Sequence, residues 1–300
     1  MGIIEAYRRA VSEEPGLRPG LPRETAEEIL RYGAVVGAGI EHLSKAARCM
    51  DLARERISQA EAAGRSFVSG PVIVADELTG GKGRFSRQWY APPGGLWLVL
   101  TLVNILLPEH AALYPLAAGV ACGEAIRHHG LPATLKWVNY VMLGGKKLAG
   151  ILTETMIGPV SGEEYVLIGI GINVNNTSFA PELRHSAGAM AQFGGRDFDL
   201  AEVGGRLLAK LAWNIGLLHW AEAKALAGDR GLEEEMPHPM IRAWLGLSDT
   251  VGRKVRFGFN VAERPHYCAK VVAIDNLGQL VLRLADGQET RESGGEIVYL

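Results

Sequence analysis

Two apolar runs, Pro71-Val72-Ile73-Val74-Ala75 and Leu96 to Leu107, frame the segment Gly80-Gly81-Lys82-Gly83-Arg84-Phe85-Ser86-Arg87-Gln88-Trp89. Apolar runs of that kind read as buried strands, and connections between such elements are usually short. A long, charged, glycine-rich insertion at that place is a loop carried by a scaffold, and loops of that kind tend to be functional. Its three glycines let the backbone come close to a ligand and present N–H groups, and the cations Lys82, Arg84 and Arg87 stand among them. The combination suits a polyphosphate or another polyanion. Composition alone fits a solvated basic loop equally well; the flanking strands favour binding. The segment is not a P-loop, because no Gly-Lys-Ser/Thr follows, and it is not GxGxxG.

The rest of the chain supplies a scaffold for that loop. Residues 1 to about 25 are polar, hold Pro15, Pro19 and Pro22, and read as an arm followed by a short helix from about Arg23 to Arg31. Ala34 to Ile40 reads as a small-residue strand. From Ser44 to Ala63 the spacing is helical, with Ala46, Met50, Ala53 and Ile57 on one face. The turn Pro92-Pro93-Gly94-Gly95 leads into the second apolar run, and Pro115 opens a helix striped by Leu116, Val120 and Ile126. Thr134 to Trp137 and Leu148 to Glu154 read as strands, the second following a Gly144-Gly145 hairpin turn. Tyr165 to Asn173 is a buried strand and Leu200 to Leu226 a long amphipathic helix. Beyond Pro239 the texture changes. From Thr250 short alternating strands follow (Lys254 to Phe259, Tyr267 to Ile274, Gln279 to Leu284), with turns at Asp275-Asn276-Leu277-Gly278 and Asp286-Gly287. Such a series predicts a small barrel. The expected division is 1–33 as an N-terminal arm with a short helix, 34–247 as the main domain and 248–300 as the barrel.

Bulk properties narrow the function classes. Net charge is -2, which calls for neither nucleic acid nor an anionic membrane. Cys49, Cys122 and Cys268 are far apart and in no metal spacing, so they read as free thiols of a reducing compartment. No basic n-region and apolar h-region open the chain, and Leu96 to Leu107 is too short to span a bilayer. A cytoplasmic protein without membrane attachment is expected.

Two further stretches carry chemistry. Leu135-Lys136-Trp137-Val138-Asn139 and Lys146-Lys147-Leu148-Ala149-Gly150-Ile151-Leu152 each place a lysine on a strand, and a hairpin would bring the two together. Paired ammonium groups beside an apolar sheet are costly unless an anion sits between them; otherwise both snorkel to water at strand ends. Val166 to Asn175 carries Gly169 and Gly171 at alternate positions, leaving room on one face for a flat group or another backbone. Asn173 either reads an adenine edge or caps the strand.

In this order and at these separations the motifs resemble the catalytic domain of biotin protein ligases, whose pattern runs GRGRxGRxW, KWPND, KxxGIL and GIGxNVN. The matching segments are Gly81 to Trp89, Lys136-Trp137-Val138-Asn139-Tyr140, Lys147 to Leu152 and Gly169 to Asn175, and Ser293-Gly294-Gly295-Glu296-Ile297 is similar to the family's closing strand. The resemblance implies an α+β fold: a mixed-sheet biotin/lipoate-ligase-like catalytic domain followed by a small SH3-like β-barrel. It implies ATP with Mg2+, biotin as the acid substrate, and a biotin-accepting carrier protein whose lysine receives it through biotinyl-adenylate. Lys147 would hold the carboxylate and adenylate, with Arg84 and Lys136 as further catalytic cations. The substrate and nucleotide surface would comprise Ser44, Leu78, Gly81, Lys82, Gly83, Arg84, Arg87, Trp89, Asn139, Lys147, Gly150, Gly169, Gly171 and Asn173, with no protein-borne metal ligand. A homodimer through a sheet edge is possible by analogy.

Four motifs depart from the family. Its Ser-Thr-Asn at the first helix falls on Ser44-Lys45-Ala46, its biotin-binding glutamine on Leu78, its Pro-Asp on Val138 and Tyr140, and its loop glycine on Ser86. The first two remove polar partners from the biotin ring, and the third removes a carboxylate expected near magnesium and phosphate. Three readings stay open: a biotin–carrier-protein ligase, a ligase for a different small acid such as lipoate, and a non-catalytic nucleotide- or adenylate-binding homologue. The opening residues are too short and too proline-rich for a winged helix, so no operator DNA is expected.

Overall fold

The computed structural model describes residues 2–176, 178–228 and 237–300. The chain begins with helices α1 (Ile3–Glu13) and α2 (Arg23–Tyr32), then β1 (Ile40–Leu43), α3 (Cys49–Ala62), β2 (Val72–Ala75) and β3 (Leu96–Val103). Helices α4 (Pro108–Ala111) and α5 (Tyr114–His128) lead to β4 (Thr134–Lys136), β5 (Tyr140–Leu143), β6 (Lys146–Ile157) and β7 (Glu164–Ile172). Then come α6 (Met190–Gly194), α7 (Leu200–Leu226) and α8 (Pro239–Leu245). The last strands are β8 (Lys254–Gly258), β9 (Tyr267–Ile274), β10 (Leu280–Arg283), β11 (Glu289–Glu292) and β12 (Glu296–Tyr299).

Seven strands form one sheet in the order β1-β2-β3-β7-β6-β5-β4, with β1 and β2 parallel and every other neighbour antiparallel. β3 is apolar at nearly every position because both of its faces are covered. Leu96, Leu98, Leu100 and Leu102 pack with α5 and α7, while Val99 faces the Met50, Ala53 and Ile57 stripe of α3. The second layer explains why α7 is apolar around most of its circumference: α1, α2 and α5 all pack on it. Two glycines permit this approach. A Cβ on Gly205 would stand 2.5 Å from the Ala6 side chain, and one on Gly216 would stand 2.1 Å from the Ile29 carbonyl. Glycine inside a helix costs about 1 kcal/mol relative to alanine, which close backbone packing offsets here.

The N-terminal segment is therefore built into the structure. Residues 3–13, expected as part of a polar arm, are helical because Ala6 and Ala10, flanked by Ile3, Tyr7 and Val11, pack one apolar face against the core. Beyond them Glu14 is fully buried and takes Arg18 and Lys210 (2.9 Å) as partners. Arg18 also reaches Glu124 at 2.6 Å and lies over the Trp213 ring.

Three local expectations are corrected. Ala34 to Ala38 is a turn, with Val36 and Ala38 amides bonded to the Gly33 and Val35 carbonyls, and the strand begins only at Ile40, where pairing with Val72 starts. Helix α3 starts at Cys49 instead of Ser44, because Ala46 remains extended and pairs with the segment at Leu78. The lysine-bearing strands are not adjacent: β5 lies between β4 and β6.

The C-terminal strands form a separate five-stranded antiparallel sheet in the order β11-β10-β9-β8-β12. It is tied to the larger body by the Trp137 indole N–H, which donates to the Gly278 carbonyl at 3.1 Å. The chain at Leu247-Ser248 bonds along the outer side of β4, so β1 is the edge left for any sheet-edge dimer. Among the described residues no helix is long and apolar enough to cross a membrane.

Removing the carboxylate from Glu14 leaves the buried Lys210 ammonium and the Arg18 guanidinium short of an anion. Glu14→Ala is expected to lower unfolding free energy by about 3 kcal/mol in a urea titration; a loss below about 1 kcal/mol would show that the cluster is hydrated.

Candidate functional site

A cavity of about 680 Å³ opens over the β6–β7 half of the sheet, under the loop at 80–89 and beside the C-terminal sheet. Its floor follows from the strand register. Gly150 pairs with Gly171 and Leu152 with Gly169, so two rows of the floor carry three glycines and one leucine. The Trp89 indole rests on the first row: a Cβ on Gly171 would lie 2.7 Å from its Nε1, and one on Gly150 would lie 3.0 Å from its ring. Met50, from the first turn of α3, rests on the second row, its Sδ 2.8 Å from where a Gly169 Cβ would stand. The flat group for which the alternate glycines leave room is the chain's own tryptophan.

Lys147 projects onto the first row, its ammonium 3.6 Å from the Tyr140 ring centroid and 4.7 Å from that of Trp89. Among the described residues no carboxylate pairs with it. Burial pulls its pKa down to about 7, with Glu296 opposing and the cations Arg87, Lys136 and Arg84 assisting. Lys136, across β5, lies over the Tyr299 ring, and burial lowers its pKa too. Both lysines line the cavity with Tyr140 between them, since Lys136 pairs with Tyr140 and Tyr140 with Gly150.

The loop folds as a miniature hairpin. The Gly83 amide donates to the Arg87 carbonyl at 2.7 Å, and the Trp89 amide to the Gly81 carbonyl at 2.9 Å. Phe85 takes up the left-handed backbone at the tip, with φ 56°. Lys82 is exposed and unpaired with any described carboxylate, whereas Arg84 and Arg87 turn toward the C-terminal sheet. Arg84 Nη1 donates to the Gly295 carbonyl at 2.8 Å. Arg87 makes a two-pronged pair with the buried Glu296 carboxylate, its Nη2–Oε2 contact 2.9 Å, and Tyr140 Oη donates to the same carboxylate at 3.2 Å.

Asn139 and Asn173 line the cavity and also hold its frame. Asn139 Nδ2 donates to the Ile151 carbonyl at 2.7 Å, and Asn173 Oδ1 accepts from Asn176 at 3.0 Å. Leu78, Gly81, Lys82, Gly83, Arg84, Arg87, Trp89, Lys136, Lys147, Gly150, Gly169 and Gly171 are likewise on the wall. Ser44 is not: it is exposed and lies outside the cavity. The residues that face inward at the start of α3 are Arg48, Cys49 and Met50. Serine is a preferred N-cap, which drew the expected helix start to Ser44, but the actual N-cap is Arg48 and no side chain caps it. Sequence reasoning also missed Glu296 as a site residue; the only signal was its place in Gly294-Gly295-Glu296, where a lone carboxylate follows two glycines. Burial pushes the Cys49 thiol up to about 12, so it is a neutral wall group and not a nucleophile.

Comparison with known proteins matches this site to one group. The biotin/lipoate A/B protein ligase family matches residues 54–173. A biotin--[acetyl-CoA-carboxylase] ligase of Mycobacterium tuberculosis is 28% identical over 297 residues, 97% of this chain and all of that protein. The chain is similar to the biotin/lipoate protein ligase superfamily, from which it diverges. The bifunctional ligase/repressor BirA of Bacillus spizizenii is 37% identical over 147 residues, a segment covering 48% of this chain and only 45% of that protein. The biotin protein ligase of Aquifex aeolicus, solved in complex with biotin and ATP, superposes with a TM-score of 0.63 at 24% identity over 87% of this chain and 98% of that one, which places the ligase fold. The stretch shared with the ligase superfamily contains the 80–89 loop, both lysines and the glycine floor, and excludes Glu296.

Two outcomes are expected. Gly171→Ala puts a methyl where the Trp89 indole lies, so Trp89 should leave its seat; a tryptophan emission spectrum unchanged after subtracting a Trp89→Phe reference would contradict this. Lys147 loses its proton near pH 7 when folded and near 10.4 when unfolded. Between those values the unfolded chain binds more protons, so stability relative to Lys147→Met should rise with pH. Urea midpoints of the two proteins that run parallel from pH 7 to 9 would show the ammonium to be solvated.

Proposed function

We propose that the chain is an ATP-dependent ligase that activates a small carboxylic acid as its adenylate and passes the acyl group to a lysine of a carrier protein. Its relatives include ligases named for joining biotin to acetyl-CoA-carboxylase, and one solved relative holds biotin and ATP. The observation that carries the reading is Lys147: a half-buried ammonium without a described carboxylate, set over a glycine floor and close enough to Arg87, Lys136 and Arg84 to feel their charge. An unneutralised buried cation is expensive, and an arriving carboxylate and triphosphate would offset that cost.

In the first step a carboxylate oxygen attacks the α-phosphorus, forming the acyl–phosphate bond as pyrophosphate leaves. In the second the carrier's neutral lysine amine attacks the acyl carbon, AMP leaves with the bonding pair, and the amine loses a proton. Both steps crowd negative charge, which Lys147, Lys136 and Arg84 would balance. The 80–89 loop, with Trp89 seated on the floor, would keep water from the mixed anhydride. The C-terminal sheet, read as the family's SH3-like barrel, supplies Glu296 to hold Arg87 in place.

ATP of this kind normally arrives with Mg2+. The carboxylates on the cavity wall are Glu263 and Glu296; Glu296 is engaged by Arg87 and Tyr140, and Tyr140 stands where the family carries aspartate. These residues do not compose a magnesium site, and no step is assigned to the ion. Among the described residues no group of three or more His, Cys, Asp or Glu could hold a metal.

A second reading, a nucleotide-binding homologue without turnover, is favoured by the engagement of both loop arginines by the C-terminal sheet. Acid-dependent exchange of labelled pyrophosphate into ATP separates the two. Exchange is expected with the wild type and should fall at least ~100-fold in Lys147→Met. Nucleotide binding without exchange for any acid would favour the second reading, and undiminished exchange in Lys147→Met would remove Lys147 from the site.

A further inference from the structure

The end of the cavity beyond Lys147 is closed by residues whose chemistry selects the acid. Lys147 Nζ lies 3.1 Å from where a Gly150 Cβ would stand, so a carboxylate paired with it lies beside the Trp89 indole that covers the Gly150–Gly171 row. The tail of that acid continues onto the Gly169–Leu152 row, about 7 Å further along the strands. There it meets Met50 over Gly169, Leu152 beside it, and Leu78, which is held in place by pairing with Ala46 on one side and Ala91 on the other. The Cys49 thiol is a weak, neutral neighbour.

Polar capacity at this end is used up or one-sided. Arg48 spends its terminal nitrogens on Asp51 at 3.0 Å and Glu154 at 2.7 Å, and Arg54 takes the other Glu154 oxygen at 2.6 Å. The buried side-chain nitrogens that lack a partner in this region are Arg48 Nε and Trp89 Nε1, and both are donors. Leu152 and Gly169 pair directly across the antiparallel β6–β7 ladder, which spends main-chain N–H and C=O groups on one another. Among the described residues the side-chain acceptors at this end are the Glu154 oxygens, already taken by Arg48 and Arg54, so a ring carrying N–H donors, such as a cyclic urea, would have to compete with two guanidinium groups for them. An unsatisfied buried donor weakens binding by about tenfold or more. A hydrocarbon or thioether tail loses nothing, and the unbranched Met50 can swing off Gly169 to admit it.

We infer that Met50 and Leu78 are specificity-determining residues that restrict this ligase to carboxylic acids with an apolar tail free of N–H donors, a medium-length aliphatic or sulfur-containing acid rather than a cyclic urea. The inference rests on the adenylating reading for its reaction and stands apart from it for binding.

The experiment measures both. Equilibrium binding of octanoate, lipoate and biotin to the full chain, by calorimetry with and without ATP, is paired with pyrophosphate exchange for each acid. Octanoate or lipoate is expected to bind at least ~100-fold more tightly than biotin, with exchange following the same order. The double variant Met50→Asn/Leu78→Gln should shift that ratio at least ~tenfold toward biotin, and the ratio is read within one folded protein, so a general loss of stability does not mimic it. Binding of an apolar acid in preference to biotin without any exchange would sustain the inference while removing the adenylating reading. Biotin as the tighter ligand of the wild type, no binding of either class, or an unchanged ratio in the double variant would each overturn it.

Discussion

The site depends on one electrostatic condition, a lysine ammonium held against an apolar sheet with no carboxylate paired to it among the described residues. A cation in that setting is unstable unless something shares its charge. Here the sharing is done by the π faces of Tyr140 and Trp89, contacts that contribute about 1–2 kcal/mol when desolvated and so lower the cost without removing it. Much of what surrounds Lys147 follows. The glycines at 150 and 171 are there because an indole has to lie flat within reach of the ammonium. Tyr140, which is a poor ligand for a hard cation, is well suited to lie under one made of nitrogen.

The Glu296 carboxylate resolves a second conflict. Arg84, Arg87, Lys136 and Lys147 all approach one cavity, and their mutual repulsion would push the loop outward. Placing one buried carboxylate at the first residue of β12 holds Arg87 and Tyr140 together, while the Gly295 carbonyl takes Arg84. The C-terminal sheet therefore acts as a counter-ion for the loop as well as a wall. This also explains why a segment outside the matched catalytic stretch is structurally inseparable from the site.

Much of this was legible from the residues alone, and the parts that were not share a cause. The long helix Leu200–Leu226 and the strand Tyr267–Ile274 are bounded by strong periodicity and by turn residues, so local physics decides them. The loop cations and the glycine floor were legible because their chemistry is unusual for strands and short connections. The helix start at Cys49 was not, since no side chain caps it and its position is decided by Ala46 pairing across to Leu78, a tertiary contact. Residues 3–13 were read as an arm although Ile3, Ala6, Tyr7, Ala10 and Val11 form an apolar stripe at helical spacing: the stripe was legible, whereas its partner glycine, Gly205, lies far along the chain. Glu296 was visible as part of a strand but not as a site residue, because its role exists only once Arg87 has been folded onto it.

The displaced helix start changes how the departures from the superfamily combine. With Ser44 as the cavity residue, one hydroxyl would remain beside the losses at Lys45, Ala46 and Leu78. With Arg48, Cys49 and Met50 in that place, the losses lie side by side. Met50 and Leu78 face the same floor row, and the one charged neighbour, Arg48, is neutralised by Asp51 and Glu154 on the far side. A single missing hydrogen bond can be replaced by water, whereas a contiguous apolar wall leaves water no partners. The end of the cavity behaves as one apolar surface, and the selectivity of the site follows from that continuity rather than from any one substitution.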